Sequence, residues 1–400
     1  MVAKRALRVA GLTGSAALLA AAGGATWYYA GRMTEPAHRR PAAPLDRDRV
    51  EVFDAGLPGA DPLSGGRGHL HLVGTDAARH GTWGLRWDDG YARVGNPIRA
   101  TGEGRRVSVD GASAVRPVEL LTGNLPEDGA RALFDPWAAP DDPTLLGLAV
   151  EEVEVEGPLG PMPAWWFPAA AEQDRGLTAI LVHGRSGTRR ETFRHVAPMV
   201  AAGVSVLSIS YRNDGEAPPS PDGRSHLGAT EWADVAAAGD WALANGARSL
   251  VLAGLSMGGA CVSEALRRDP DLRPHVAGVI LEAPVLDWGP VLRSAAVQRG
   301  LPAAALPLLL PPTMALAGAR ARIDWRSLGS FEDLVETPLL LIHGDADVTV
   351  PVELADALAE ALPDQVTYLR VEGAAHLTAW NVAREQVETA VTTYLAALTS

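Results

Sequence analysis

The chain has 400 residues and a formal net charge of −13, from 35 basic and 48 acidic side chains. With 47 % hydrophobic and 21 % charged residues it has the balance of a folded globular protein, which excludes chain-wide disorder. Its single cysteine, Cys261, excludes an internal disulfide and a multi-cysteine zinc site, and the acidic excess excludes a non-specific grip on nucleic acid.

The charge is unevenly spread. Residues 1–50 carry eight basic side chains against three acidic ones, a basic head on an acidic body. Lys4, Arg5 and Arg8 precede an uncharged run, Val9–Ala30, which ends in Trp27, Tyr28 and Tyr29 before Arg32. As a helix these 22 residues would span about 33 Å, enough for a bilayer core of about 30 Å, with the aromatic rings at the interface. Residues 1–35 are therefore expected to be a single-pass N-terminal transmembrane helix, with the body outside the cytoplasm. The alternative is a secretory signal peptide cleaved among Ala20, Ala22 and Ala25.

Residues 36–49, with Pro36, Pro41 and Pro44, read as a linker. From 50 to 145 the chain is rich in glycine and turn signals. Short alternating runs, such as Arg106–Val109 and Val115–Leu121, predict a small β-rich region without a fixed repeat. Its His69, His71 and His80 have no metal partner at a convincing spacing and read as surface or loop histidines.

Over 146–400 strands alternate with helices, which predicts a mostly parallel sheet covered on both faces. Strands are expected at Val150–Glu156, Met162–Phe167, Thr178–His183, Val204–Ser210, Ser249–Gly254, Val276–Glu282, Pro338–His343 and Val366–Val371. Helices are expected at Glu191–Ala202, Thr230–Asn245, Gly259–Arg268, Val352–Leu362 and Trp380–Leu398. Residues 288–326 break the rhythm. Their apolar stretch Leu301–Met314, interrupted by Pro302, Pro307, Pro311 and Pro312, reads as a cap over an apolar pocket.

Gly254-Leu255-Ser256-Met257-Gly258 is a G-x-S-x-G between a predicted strand and a predicted helix. That context lifts a serine on a tight turn to the C-terminal edge of a sheet, at a helix N-terminus that favours developing negative charge. A serine needs a base and an orienting carboxylate. His343-Gly344-Asp345-Ala346-Asp347 follows the next-to-last strand and Gly373-Ala374-Ala375-His376 the last, giving the chain order Ser256, Asp347, His376.

With His183-Gly184 added, these motifs make residues 150–400 resemble an α/β-hydrolase-fold serine hydrolase. The segment from His376 to Trp380 and Asn381 also resembles the tail of bacterial lipase/esterase-like and prolyl-oligopeptidase-like members. The resemblance implies an α/β-hydrolase fold, and the small β-rich region and hydrophobic helix read ahead of it fall outside the resemblance. It assigns the acid to Asp347, through the pattern H-G-x-x-D-x-x-V-P, and oxyanion-binding main-chain N–H groups to Met257 and Arg185. Asp287, after the sixth strand, and Asp345 are the other candidate acids. His183 and His343 read as structural or oxyanion-loop histidines, and Cys261 as a core thiol. Tyr211–Asp214 opens a loop that is expected to line the site mouth or to be solvated. The expected activity is carboxylic ester hydrolysis through an acyl-enzyme, on a small-molecule substrate, without metal or organic cofactor. A prolyl-oligopeptidase-type peptidase or amidase is the alternative, and a non-catalytic binding protein of the same fold is the second.

Overall fold

The computed structural model describes residues 22–36, 49–54, 66–74, 76–101, 113–331 and 337–398. The first part of the uncharged run, the linker from residue 37 to 48, and the expected strand at Arg106–Val109 lie outside the described residues.

The β-rich region is a closed antiparallel barrel. Its strands are β1 (Arg49–Asp54), β2 (Arg67–Val73), β3 (Trp83–Trp87), β4 (Gly90–Val94), β5 (Arg99–Thr101), β6 (Ser113–Gly123) and β7 (Ala130–Asp135). They run in the order β2-β1-β7-β3-β4-β6-β5, and the further pairing of β2 with β6 closes a ring of six. Closure removes the unpaired edges that a small open sheet would expose. Leu72, Trp83, Leu85, Ala92 and Val94 fill the interior. Arg116 is fully buried among them, and its guanidinium donates to the carbonyls of Gly95 and Gly81, each at 2.7 Å. Burial, with Arg79 nearby, pulls this guanidinium down to about 10.

The second unit is an eight-stranded sheet of β8 (Glu151–Gly157), β9 (Gly160–Phe167), β10 (Leu177–Val182), β11 (Val204–Ile209), β12 (Ser249–Leu255), β13 (Val276–Glu282), β14 (Leu339–Gly344) and β15 (Val366–Val371). The order is β15-β14-β13-β12-β10-β11-β9-β8. β10 to β15 are parallel, while β8 and β9 form an antiparallel hairpin on one edge. The alternation along β10 explains the two-faced packing. Ile180 and Val182 enter one core with α3 (Trp232–Ala244) and α4 (Met257–Arg268). Ala179 and Leu181 enter the other with α2 (Phe193–Ala201) and α9 (Arg384–Ala397). Placing each strand's C-terminal end on one edge gathers the loops there.

The expected cap segment forms two helices, and two local expectations are corrected. Between β13 and β14 lie α5 (Trp288–Gln298) and α6 (Leu306–Ala321), and α6 runs straight through Pro311 and Pro312. Each such proline removes one main-chain donor, at a cost of about 3 kcal/mol, which the burial of Leu306, Leu310 and Ala317 opposes. α7 (Glu353–Ala361) is a single helix, but the expected helix Trp380–Leu398 is split at Ala383, where φ is −131° and ψ 53°, into α8 (Ala379–Val382) and α9. The loop from Tyr211 is solvated only further along: Tyr211 and Asn213 are buried, and Arg212 clamps Asp234 through Nε at 2.7 Å and Nη2 at 2.5 Å.

The barrel docks beside the last loop of the sheet. Thr82 N–H donates to Asn381 O at 2.8 Å, and Asn381 Nδ2 donates to Thr82 O and Pro136 O at 2.8 Å each. Arg190 pairs with Asp135 and Asp141.

A helix over residues 22–33, α1, packs against the eight-stranded unit. Ala30 and Thr34 are fully buried, and Arg320 lies 3.6 Å over the Trp27 ring. Among the described residues no helix is long and apolar enough to cross a membrane.

Candidate active site

β12 delivers Ser256 on a turn that only tight packing permits. Ser256 has φ 53° and ψ −115°, a strained geometry held by its neighbours. A Cβ on Gly258 would lie 2.2 Å from Val182 O, and one on Gly254 2.6 Å from the Gly258 main chain. Both motif glycines are thus required by close approach of β10, β12 and α4. Ser256 N–H donates to Glu282 O at 2.9 Å, fixing the turn to β13.

His376, on the loop after β15, meets the serine. Its Nε2 lies 3.0 Å from Ser256 Oγ, and its Nδ1 lies 2.7 Å from Asp347 Oδ2. With Nδ1–H donating to the carboxylate, Nε2 is left as the acceptor of the serine hydroxyl. Asp347 Oδ1 accepts the N–H groups of Thr349 at 2.7 Å and Val350 at 2.9 Å. Burial alone would raise this carboxyl. Hydrogen bonds from His343 and His376 and from the Val350 N–H outweigh that and hold it well below the ordinary aspartate range, so it stays ionised.

The structure separates the competing acids by their partners. Asp287 caps α5, accepting from Gly289 N–H at 2.7 Å. Asp345 accepts from Gly373 N–H at 2.7 Å and so holds the turn that leads to His376. His343 supports Asp347: its Nε2–H faces Val350 O at 3.1 Å and Asp347 Oδ2 at 3.3 Å. Cys261 is buried in the core, and burial pushes its thiol well up. His69 and His71 lie in β2, and among the described residues no group of three or more side chains is arranged to hold a metal ion.

The loop after β10 is tightly held. Gly184 N–H donates to Glu191 Oε2 at 2.6 Å, and Gly187 N–H to Gly184 O at 3.1 Å. The His183 ring stacks on Tyr211 at 4.3 Å and contacts Asp214 Oδ2 at 3.2 Å and Gly184 O at 2.8 Å. Burial disfavours its charged form, but the Asp214 hydrogen bond and charge prevail and raise His183 above the usual histidine range. A Cβ on Gly184 would lie 3.2 Å from that of Ser256, so the loop abuts the serine. Because Gly184 N–H is committed to Glu191, the next main-chain donor along the loop is that of Arg185. Met257 N–H, directly after Ser256, opens α4, where the first N–H groups have no partner within the helix.

Sequence reasoning missed a buried cluster behind the site. Glu282 Oε2, at the end of β13, accepts from His195 Nε2 at 2.7 Å and lies 3.7 Å from Arg194 Nε. Arg194 Nη1 donates to Leu377 O at 2.7 Å, one residue past His376. An acidic residue closing an otherwise apolar strand was the only signal in the chain.

The Alpha/beta hydrolase family model matches residues 179–390. An esterase from Pyrococcus furiosus is similar in structure, with 18 % identity and a TM-score of 0.50, over 66 % of this chain and 96 % of that one. A thermophilic esterase from Thermogutta terrifontis aligns at 20 % identity and a TM-score of 0.44, over 62 % of this chain and 100 % of its own. No curated protein sequence matches the chain. The likeness to the Pyrococcus furiosus esterase supports the fold, and the family match spans more than half of the residues: the chain belongs to the alpha/beta hydrolase family.

Proposed function

We propose that this hydrolase cleaves carboxylic esters through an acyl-enzyme on Ser256. The observation that supports it is the continuous relay Ser256 Oγ to His376 Nε2 at 3.0 Å and His376 Nδ1 to Asp347 Oδ2 at 2.7 Å. In this reading Ser256 Oγ attacks the ester carbonyl as His376 takes its proton. The tetrahedral oxyanion is met by the N–H groups of Met257 and Arg185, each worth about 10²–10³ in rate. The carbon–oxygen bond to the alcohol then breaks, and His376 returns the proton to the departing alkoxide. Water, deprotonated by His376, adds to the acyl carbon, and Ser256 leaves with the proton. Asp347 orients the imidazole and stabilises its cation.

The testing experiment pairs fluorophosphonate labelling with turnover of p-nitrophenyl esters and aminoacyl-nitroanilides. Wild-type protein is expected to label and to prefer esters, and Ser256→Ala to do neither. Preference for the anilides would favour the peptidase reading, and absence of labelling would favour a binding protein. The uncharged residues between Arg8 and α1, behind the basic Lys4, Arg5 and Arg8, support attachment to a membrane ahead of α1. Full-length protein is then expected in the membrane fraction after a high-salt wash, and recovery in the soluble fraction would contradict it.

A further inference from the structure

We propose that a cavity between α1 and the α5–α6 pair receives the acyl chain of the substrate, so that the N-terminal helix is a working wall of the binding site. This rests on the ester-hydrolase reading above. The cavity has a volume of about 310 Å³ and is lined by Tyr29 and Met33 of α1, Leu292 of α5, and Leu306 and Leu310 of α6. That is the low end of the roughly 300–1,000 Å³ typical of ligand pockets, and fits one unbranched alkyl chain.

Two contacts tie the cavity to the reacting atoms. Arg185 lines it, and Arg185 directly follows Gly184, whose Cβ position lies 3.2 Å from that of Ser256. On another side α5 is fastened to the acid loop, since Ser294 Oγ and Gln298 Nε2 both donate to Val348 O, one residue past Asp347. The cavity therefore opens beside the oxyanion loop, and one of its walls, α5, is anchored to the Asp347 loop.

Its chemistry selects a neutral chain. Arginines reach the cavity, but each is engaged with the protein. Arg32 pairs with Glu35, Arg185 donates to the carbonyls of Arg32 and Met33, and Arg299 Nη1 donates to Ala295 O at 2.8 Å. Apart from Thr26 and Thr313 the remaining lining is aliphatic and aromatic, which rewards burial of methylenes.

The chain invests in holding α1 there. Arg320 Nη1 donates to Trp27 O at 3.1 Å, Ser225 N–H to Thr34 O at 2.8 Å and Arg224 Nη1 to Thr34 Oγ1 at 3.2 Å. Arg185 adds a cation to the last carbonyls of α1, where the helix dipole is negative. One residue thus serves the oxyanion loop with its main chain and the cavity wall with its side chain. Tyr28, which also lines the cavity, is 59 % exposed and marks its mouth.

The experiment uses full-length protein and alkyl fluorophosphonates from ethyl to dodecyl. In their reaction the Ser256 Oγ–phosphorus bond forms, fluoride leaves and His376 takes the proton, so no ester turnover is needed. The labelling rate constant of wild-type protein is expected to rise about fourfold per methylene until the cavity is full, then level off. Leu309→Trp, which intrudes from α6, is expected to cut the octyl-to-ethyl ratio at least tenfold. Tyr29→Ala, which widens the cavity from α1, is expected to move the plateau to longer chains. The proposal is overturned if both variants, folded by circular dichroism, keep the wild-type chain-length profile, or if wild-type labelling is independent of chain length. Chain-dependent labelling without hydrolysis of any p-nitrophenyl ester would support the cavity and overturn the esterase reading alone.

Discussion

Glu282→Gln isolates the buried cluster behind the site, and its effect has a calculable pH dependence. Glu282 is 1 % exposed, and burial by itself would raise its carboxyl. The Arg194 charge and the His195 hydrogen bond outweigh burial and lower it from 4.5 to about 2. The folded-state value lies below the unfolded one, so as acid is added the unfolded chain takes up the proton first. The stabilisation is complete above pH 4.5 and drains away as the pH falls toward 2. Lowering the carboxyl from 4.5 to about 2 is worth on the order of 3 kcal/mol. That agrees with the roughly 3–5 kcal/mol lost when one partner of a buried ion pair is removed. Urea unfolding followed by tryptophan fluorescence, at pH 7 and in steps down to pH 2.5, measures it. Wild-type protein is expected to exceed Glu282→Gln by about 3 kcal/mol at neutral pH, with the difference closing steadily in acid. A difference that stays constant over that range would refute the ionised network.

Asp347→Asn is expected to lower ester turnover by about 10⁴, because the imidazole loses the partner that fixes its tautomer. Asp287→Asn should cost little, since asparagine caps a helix as well as aspartate does, and steady-state kinetics on the two variants decides between the acids. Gly258→Ala would set a Cβ 2.2 Å from Val182 O, so soluble yield and melting temperature should fall sharply, whereas Ser256→Ala should keep both.

The parts legible in the sequence were those set by local constraint. Ser256 could be read because its turn demands small neighbours at 254 and 258, and the hairpin of β8 and β9 because alternation fixes its register, Gly157 opposite Gly160. Distant pairings left no such trace. His195 meets Glu282 across 87 positions and Arg185 meets Met33 across 152, and a lone charge in an apolar stretch does not name its partner. α1 illustrates the difficulty most clearly. An uncharged run before a basic residue reads as a membrane helix, yet residues 22–33 cover apolar surface of their own catalytic unit, as burial of Ala30 shows. Either solvent, lipid or protein, satisfies the same pattern. The prolines of α6 make a related point, since packing can offset a local penalty that no short window reveals.

The acyl-enzyme itself provides the most direct test. Wild-type protein mixed with a p-nitrophenyl ester and quenched in acid within the first turnovers is digested and its peptides are weighed. The peptide carrying Ser256 is expected to gain the mass of the acyl group, and to lose it on longer incubation as water completes the cycle. Release of p-nitrophenol with no acyl mass on that peptide, or with the mass on another residue, would contradict the assignment of Ser256 as the nucleophile.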